Sequence, residues 1–125
     1  MEYIIDIPFF SPGGNALRKM PAWKYAKLRK DITMLLRGYF RDHGHPIGKG
    51  KKIHVSFMRT YSRVEQDYEN LAFTGKPWFD ALKKLSAIED DSPKWVDREY
   101  SQEQSGEHRV VIKLKRARDY SRAQV

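Results

Sequence analysis

Residues 67–91 read DYENLAFTGKPWFDALKKLSAIEDD, with acids at both ends and an apolar centre. In an extended segment residues i and i+2 project to the same side, so Asp67 and Glu69 would present two carboxylates together. Pro77 suits the first turn of a helix, and Trp78, Leu82 and Leu85 give that helix an apolar face. The expectation is a short helix opening at Pro77, with Gly75 and Pro77 interrupting anything longer. Glu89, Asp90 and Asp91 follow just past its end. If the two ends of the segment meet, at least three carboxylates converge. Magnesium takes such a site, with hard oxygen ligands and the remaining positions left for water and phosphate. A bound metal would neutralise the acids, hold a scissile phosphate and lower the pKa of an attacking water. Spacing alone leaves open the plainer alternative of a solvent-facing acidic loop.

Upstream, Ile53, Val55 and Phe57 alternate with His54, Ser56 and Met58, which reads as a strand. Before it, residues 44–52 (GHPIGKGKK) form a basic turn. One residue too few between the glycines, and no Ser or Thr after Lys49, separate this turn from a phosphate-binding loop, so no nucleotide cofactor is expected. Leu28, Ile32, Leu35, Leu36 and Tyr39 make a helical stripe between Pro21 and Gly44, with Lys27, Arg29, Lys30, Arg37 and Arg41 on the other faces. Tyr3, Ile5, Ile7 and Phe9 alternate as a strand that Ser11-Pro12-Gly13-Gly14-Asn15 ends in a loop. Downstream, residues 95–102 and 109–115 read as a hairpin around Gln104-Ser105-Gly106. The fold expected is α+β: a single domain over residues 1–125, with a small mixed or antiparallel sheet, one long and one short helix, and residues 116–125 as a flexible basic tail. Trp23, Trp78 and Trp95 are expected in the core or an interface.

The net charge is +8, and it is unevenly spread. Residues 16–63 hold thirteen Lys and Arg against two acids, whereas residues 64–107 hold eleven acids against five bases. A basic body of this kind is the electrostatic footprint of a phosphate-backbone binder. The candidate DNA contacts are Lys24, Lys27 and Lys30 on the helix, Lys49, Lys51 and Lys52 in the turn, and Arg59 and Arg63 at and beyond the second strand. An acidic island in such a protein would repel the same ligand unless a cation sat between them. The absence of cysteine removes disulfides, zinc-thiolate sites and cysteine nucleophiles, and fits a reducing cytoplasm. The four histidines lack zinc spacing. No stretch approaches the ~18 apolar residues of a membrane span, and residues 1–10 do not look like a signal peptide.

The segment resembles the RusA-type Holliday junction resolvases, the crossover-junction endodeoxyribonucleases. That family carries D-x-D-N-L, then a Lys four residues ahead of D-A-L, then a D-D pair near the start of the next strand. Here the run is Asp67-Tyr68-Glu69-Asn70-Leu71, Lys76-Pro77-Trp78-Phe79-Asp80-Ala81-Leu82 and Ile88-Glu89-Asp90-Asp91. The strand ending in Ile7-Pro8, followed by Ser11-Pro12 and Asn15, is similar to the family's opening. The resemblance implies that Asp67, Glu69 and Asp91 bind magnesium, for which manganese can substitute, with Asp90 assisting and Lys76 near the scissile phosphate. It further implies a homodimer that resolves four-way or otherwise branched double-stranded DNA in recombination and repair, of a kind often carried by phages and prophages. Two departures stand out: Glu69 takes the place of an Asp, and Ala72-Phe73-Thr74-Gly75 lengthens the chain before Lys76. The first keeps a second reading alive, a non-catalytic DNA-binding protein of the same fold with an impaired metal site.

Overall fold

A computed structural model describes residues 2–46, 48, 50–63 and 65–117. Among them lie four strands and three helices, in the order β1 (Glu2–Pro8), α1 (Gly14–Lys19), α2 (Ala22–His43), β2 (Ile53–Tyr61), α3 (Tyr68–Lys84), β3 (Val96–Gln104) and β4 (Arg109–Arg116). The protein is α+β, with a mixed sheet ordered β1-β4-β2-β3. β4 runs antiparallel to both β1 and β2, while β2 and β3 are parallel. Parallel neighbours need a crossover, and α3 supplies it.

The alternation expected of each strand sets one inner face. Ile5 and Ile7, Ile53, Val55 and Phe57, and Val110, Ile112 and Leu114 are all buried on it. Ile32, Leu36 and Phe40 of α2 and Trp78, Phe79, Ala81 and Leu82 of α3 cover that face and join the same core. α2 is fastened to β1 at its far end, where the Tyr39 hydroxyl donates to the Ile4 carbonyl at 2.9 Å and the Tyr3 hydroxyl donates to that of Gly44. Leu35, placed in the apolar stripe by the sequence, is 40% exposed. No helix among the described residues is long and apolar enough to cross a membrane.

Three expectations are corrected. First, β3 and β4 do not form a hairpin. β4 inserts between β1 and β2 because Val110, Ile112 and Leu114 bury more completely in the sheet centre than beside the polar edge strand VDREYSQEQ. Second, there are two long helices, not one. α3 begins at Tyr68 and runs through Gly75 and Pro77. A mid-helix proline costs about 3 kcal/mol, which the burial of Trp78, Phe79 and Leu82 around it offsets. Gly75 is used for closeness: a Cβ there would stand 2.9 Å from the Tyr100 ring. Third, Gly14–Lys19 is a short helix rather than loop. Gly14 lies against α3 so tightly that a Cβ would be 2.5 Å from the Asn70 carbonyl oxygen. Of the tryptophans expected in the core or an interface, Trp78 is fully buried and Trp95 packs against the core, while Trp23 is 71% exposed. Arg116, placed in a tail by the sequence, closes β4; residues 118–125 lie outside the described residues.

The end of α3 decides where the chain goes next. The Ser86 N–H donates to the Lys83 carbonyl and the Ala87 N–H to that of Leu82, a paired cap that needs a left-handed residue at Ser86, whose φ is 61°. A side chain is unfavourable there, by about 1 kcal/mol. Ser86→Gly is therefore expected to stabilise the fold by about 0.5–1 kcal/mol, read as a rise in Tm of a few degrees. An unchanged or lowered Tm would contradict this account of the cap.

Candidate active site

The start of α3 is pinned from three sides. Asp67 is the N-cap, its Oδ1 accepting the Asn70 N–H at 2.8 Å. Gln66 reaches back to α1, its Oε1 accepting the Gly14 N–H at 2.9 Å. It also exchanges hydrogen bonds with β3, donating its N–H to Gln102 Oε1 at 3.0 Å and accepting from Gln102 Nε2 at 2.6 Å. With the helix so fixed, Glu69, Ala72, Phe73 and Lys76 recur at helical spacing on one face. That face forms one side of a cleft of about 310 Å³, completed by Arg18 of α1, Asp91 beyond α3, and Arg98 and Tyr100 of β3.

The strand register explains the β3 side. Arg98 and Tyr100 pair with Val55 and Phe57, so they point to the sheet face that carries the helices. Being on an edge strand, they reach past α3 and remain accessible. Arg98 lies 4.9 Å over the Phe79 ring, and Tyr100 packs edge-on against Tyr68. Burial raises the Tyr100 pKa, with Arg98 opposing, so Tyr100 is a neutral hydroxyl at neutral pH and not a phenolate nucleophile. Arg18 donates to Asn70 Oδ1 at 2.6 Å, stands 3.7 Å from Glu69 Oε1, and covers the Phe73 ring at 4.9 Å. Glu69 remains 88% exposed, so this ion pair is weak and its carboxylate is free to take another partner. Lys76 stands 4.0 Å from Asp80, which gives Asp80 the structural role of an intrahelical partner.

Of the five residues expected to bind metal or act in catalysis, Glu69, Lys76 and Asp91 meet in this cleft. Asp67 and Asp90 do not. Asp67 and Glu69 are not side by side, because the segment is the beginning of a helix, where i and i+2 diverge. Both Asp67 oxygens face Asn70, Oδ2 accepting its side-chain amide at 3.3 Å. Asp90 turns to Lys83, 2.9 Å away, and that hydrogen bond lowers its pKa.

The cleft's donor chemistry suits a hard divalent cation. It offers two carboxylates from different segments and neither sulfur nor imidazole. Magnesium is commonly held by one or two carboxylates, with water and phosphate oxygens making up the rest. Among the described residues no three acidic or imidazole groups gather into a complete ligand cluster, so Glu69 and Asp91 are the residues that could hold one. Three cations, Arg18, Lys76 and Arg98, line the same cleft as these two acids, a composition that suits a phosphate anion beside a metal.

Of the cations expected to touch a phosphate backbone, Lys24, Lys27 and Lys30 are exposed on α2, with Lys27 4.0 Å from Asp31. Lys51 is half-buried, Arg63 is exposed and Lys52 pairs with Asp97 at 3.2 Å. Lys49 lies outside the described residues. Arg59 is corrected. It points to the helix-covered face of β2, is 8% exposed, and donates to Gln102 Oε1 at 3.4 Å. Desolvation lowers its pKa, and it presents no open surface to a ligand.

Arg18, Arg98 and Tyr100 were not singled out from the sequence. Period-two alternation from Val96 would have put Arg98 and Tyr100 on the inner face. Nothing in the sequence around Arg18 marks it beyond the Gly13-Gly14 pair, which signals close backbone approach. The chain matches no protein-family model and no curated protein sequence.

Proposed function

We propose that this protein is a magnesium-dependent endodeoxyribonuclease that cuts branched DNA, in the manner of the RusA-type resolvases its sequence resembles. The observation that carries this reading is the convergence of Glu69, Lys76 and Asp91, distant in sequence and on separate segments, in one cleft lined by further cations. Glu69 and Asp91 hold the metal, with manganese able to substitute. When bound, it supplies a water of lowered pKa and neutralises charge on the phosphate. Lys76, Arg18 and Arg98 bind non-bridging phosphate oxygens and stabilise the charge that develops on them. Tyr100, kept protonated by burial, donates a hydrogen bond to the same group. Phe73 and Phe79 give the cleft an apolar lining beside these polar groups. Asp67 acts through the helix cap, holding Asn70 and, through it, Arg18.

The proposal includes a homodimer, because a two-fold junction calls for two related sites, and a cytoplasmic, phage- or prophage-borne setting. Incubation of a synthetic four-way junction with magnesium or manganese tests the reading. Cleavage near the branch point is expected, and EDTA abolishes it. Binding without cleavage in either metal would establish instead the second reading, a DNA-binding protein without catalysis. Two observations favour that alternative: Asp67 is turned to Asn70, and Glu69 already faces Arg18.

A further inference from the structure

α2 and α3 pack side by side, and between them runs an open groove of about 680 Å³. Arg29, Lys30 and Arg37 line it from α2, and Lys83 and Lys84 from α3, while Asp80 is the only acid among its lining residues. Lys30, Arg37 and Lys84 have no carboxylate partner among the described residues, and Lys83 is engaged by Asp90. Like charges gathered in a concavity raise the local potential, since the low-dielectric walls focus it. An anionic ligand in the groove would relieve that repulsion.

We propose that this groove is a second, non-catalytic DNA site that seats the phosphate backbone of a duplex arm. Arg29 and Arg37 are two helical turns apart, about 12 Å along the axis. At about 3.4 Å of rise per nucleotide of one strand, that length spans about three or four phosphates. The lining favours nucleic acid over an acidic protein segment. Protein interfaces centre on aromatic or aliphatic anchors and exclude charge from the middle, whereas DNA interfaces are polar and strongly positive. Here the middle is charged, and Met34 is its one large apolar side chain. The groove also adjoins the cleft. Asp80 lines the groove and Lys76 the cleft, and the two side chains approach to 4.0 Å one turn apart along α3. The inference rests on the groove's charge and stands whether or not the cleft cleaves.

The test is metal-free binding of a short fluorescent DNA duplex, followed by anisotropy across a salt series in EDTA. Arg29→Ala/Arg37→Ala is compared with Lys113→Ala/Arg116→Ala, which removes the same charge from exposed positions on β4. The groove variant is expected to bind about tenfold more weakly, with the slope of log affinity against log salt reduced by about 0.9 for each phosphate that is no longer neutralised. The β4 variant is expected to stay within about twofold of the unaltered protein. Lys30→Ala/Lys84→Ala repeats the groove result with residues that make no ion pair among those described, which guards against a folding defect in the first pair. Equal weakening of groove and β4 variants, showing dependence on net charge alone, would overturn the proposal. So would a groove variant with unchanged affinity and slope.

Discussion

Asp91→Asn is expected to reduce junction cleavage by a factor of about 10²–10³ or more while leaving metal-free binding within a few-fold of the unaltered protein. Asn preserves the shape of Asp and removes its charge. Asp91 is half-buried at the cleft, is reached through the cap at Ser86, and is engaged by no ion pair among the described residues, so little in the fold depends on its ionisation. Glu69→Gln should behave alike, because the same cation would lose its other anionic ligand. Asp67→Asn should differ. Asn caps a helix as well as Asp, so the Asn70 bond survives and cleavage should fall by no more than about tenfold. Single-turnover cleavage with saturating protein reads all three. Equal loss in the Asp67 and Asp91 variants would place Asp67 among the metal ligands and contradict the division of roles drawn from the geometry. Undiminished cleavage by Asp91→Asn would remove the cleft from the chemistry.

The second large effect is on the fold. Trp78 is fully buried at the centre of α3, packs edge-on against Phe9 at 5.2 Å and near Phe57 at 6.4 Å, and donates its Nε1–H to the Ser11 hydroxyl at 3.3 Å. It ties the loop after β1, the crossover helix and the central strand together. Trp78→Ala is expected to cost about 3–5 kcal/mol, a large part of the about 5–15 kcal/mol that holds a domain of this size. Tm should fall by roughly 12–20 °C. Trp78→Phe keeps most of the volume and should cost clearly less. A drop of only a few degrees in the Ala variant, read by thermal unfolding monitored by circular dichroism, would mean that the core does not centre there.

Much of the architecture could be read from period alone. The alternations of Tyr3–Phe9, Ile53–Met58 and Val110–Leu114 gave strands, and Ile32, Leu36 and Tyr39 lie on the helix expected for them. What period could not supply was the partner of each strand. Val96–Gln104 and Arg109–Arg116 are separated by a turn-rich stretch, and local signals cannot distinguish a hairpin from a strand that steps over its neighbour. α3 is continuous, where the sequence predicts a break, for an energetic reason. Gly75 and Pro77 are poor helix residues, and only the tertiary burial of Trp78 and Phe79 and the Tyr100 ring over Gly75 make a continuous helix favourable.

The same helix shapes the site. An extended backbone would pair Asp67 with Glu69, but the helix parts them, and Asp67 becomes a cap. Lys76 and Asp91 reach the cleft by a route different from the expected one. The same continuous helix sets Lys76 on the face that begins with Glu69, and the left-handed Ser86 turns the chain back towards it. Arg18 was invisible because its position depends on Gly14 pressing α1 onto α3, an approach between residues 56 apart in the chain.

The most direct test of the central claim is the location of manganese in a crystal of the protein soaked with that ion, read from its anomalous scattering. The account predicts a peak between the Glu69 and Asp91 carboxylates, beside Lys76, that vanishes in Asp91→Asn. A peak elsewhere, or none in the cleft of a protein that cleaves junctions in manganese, would contradict it.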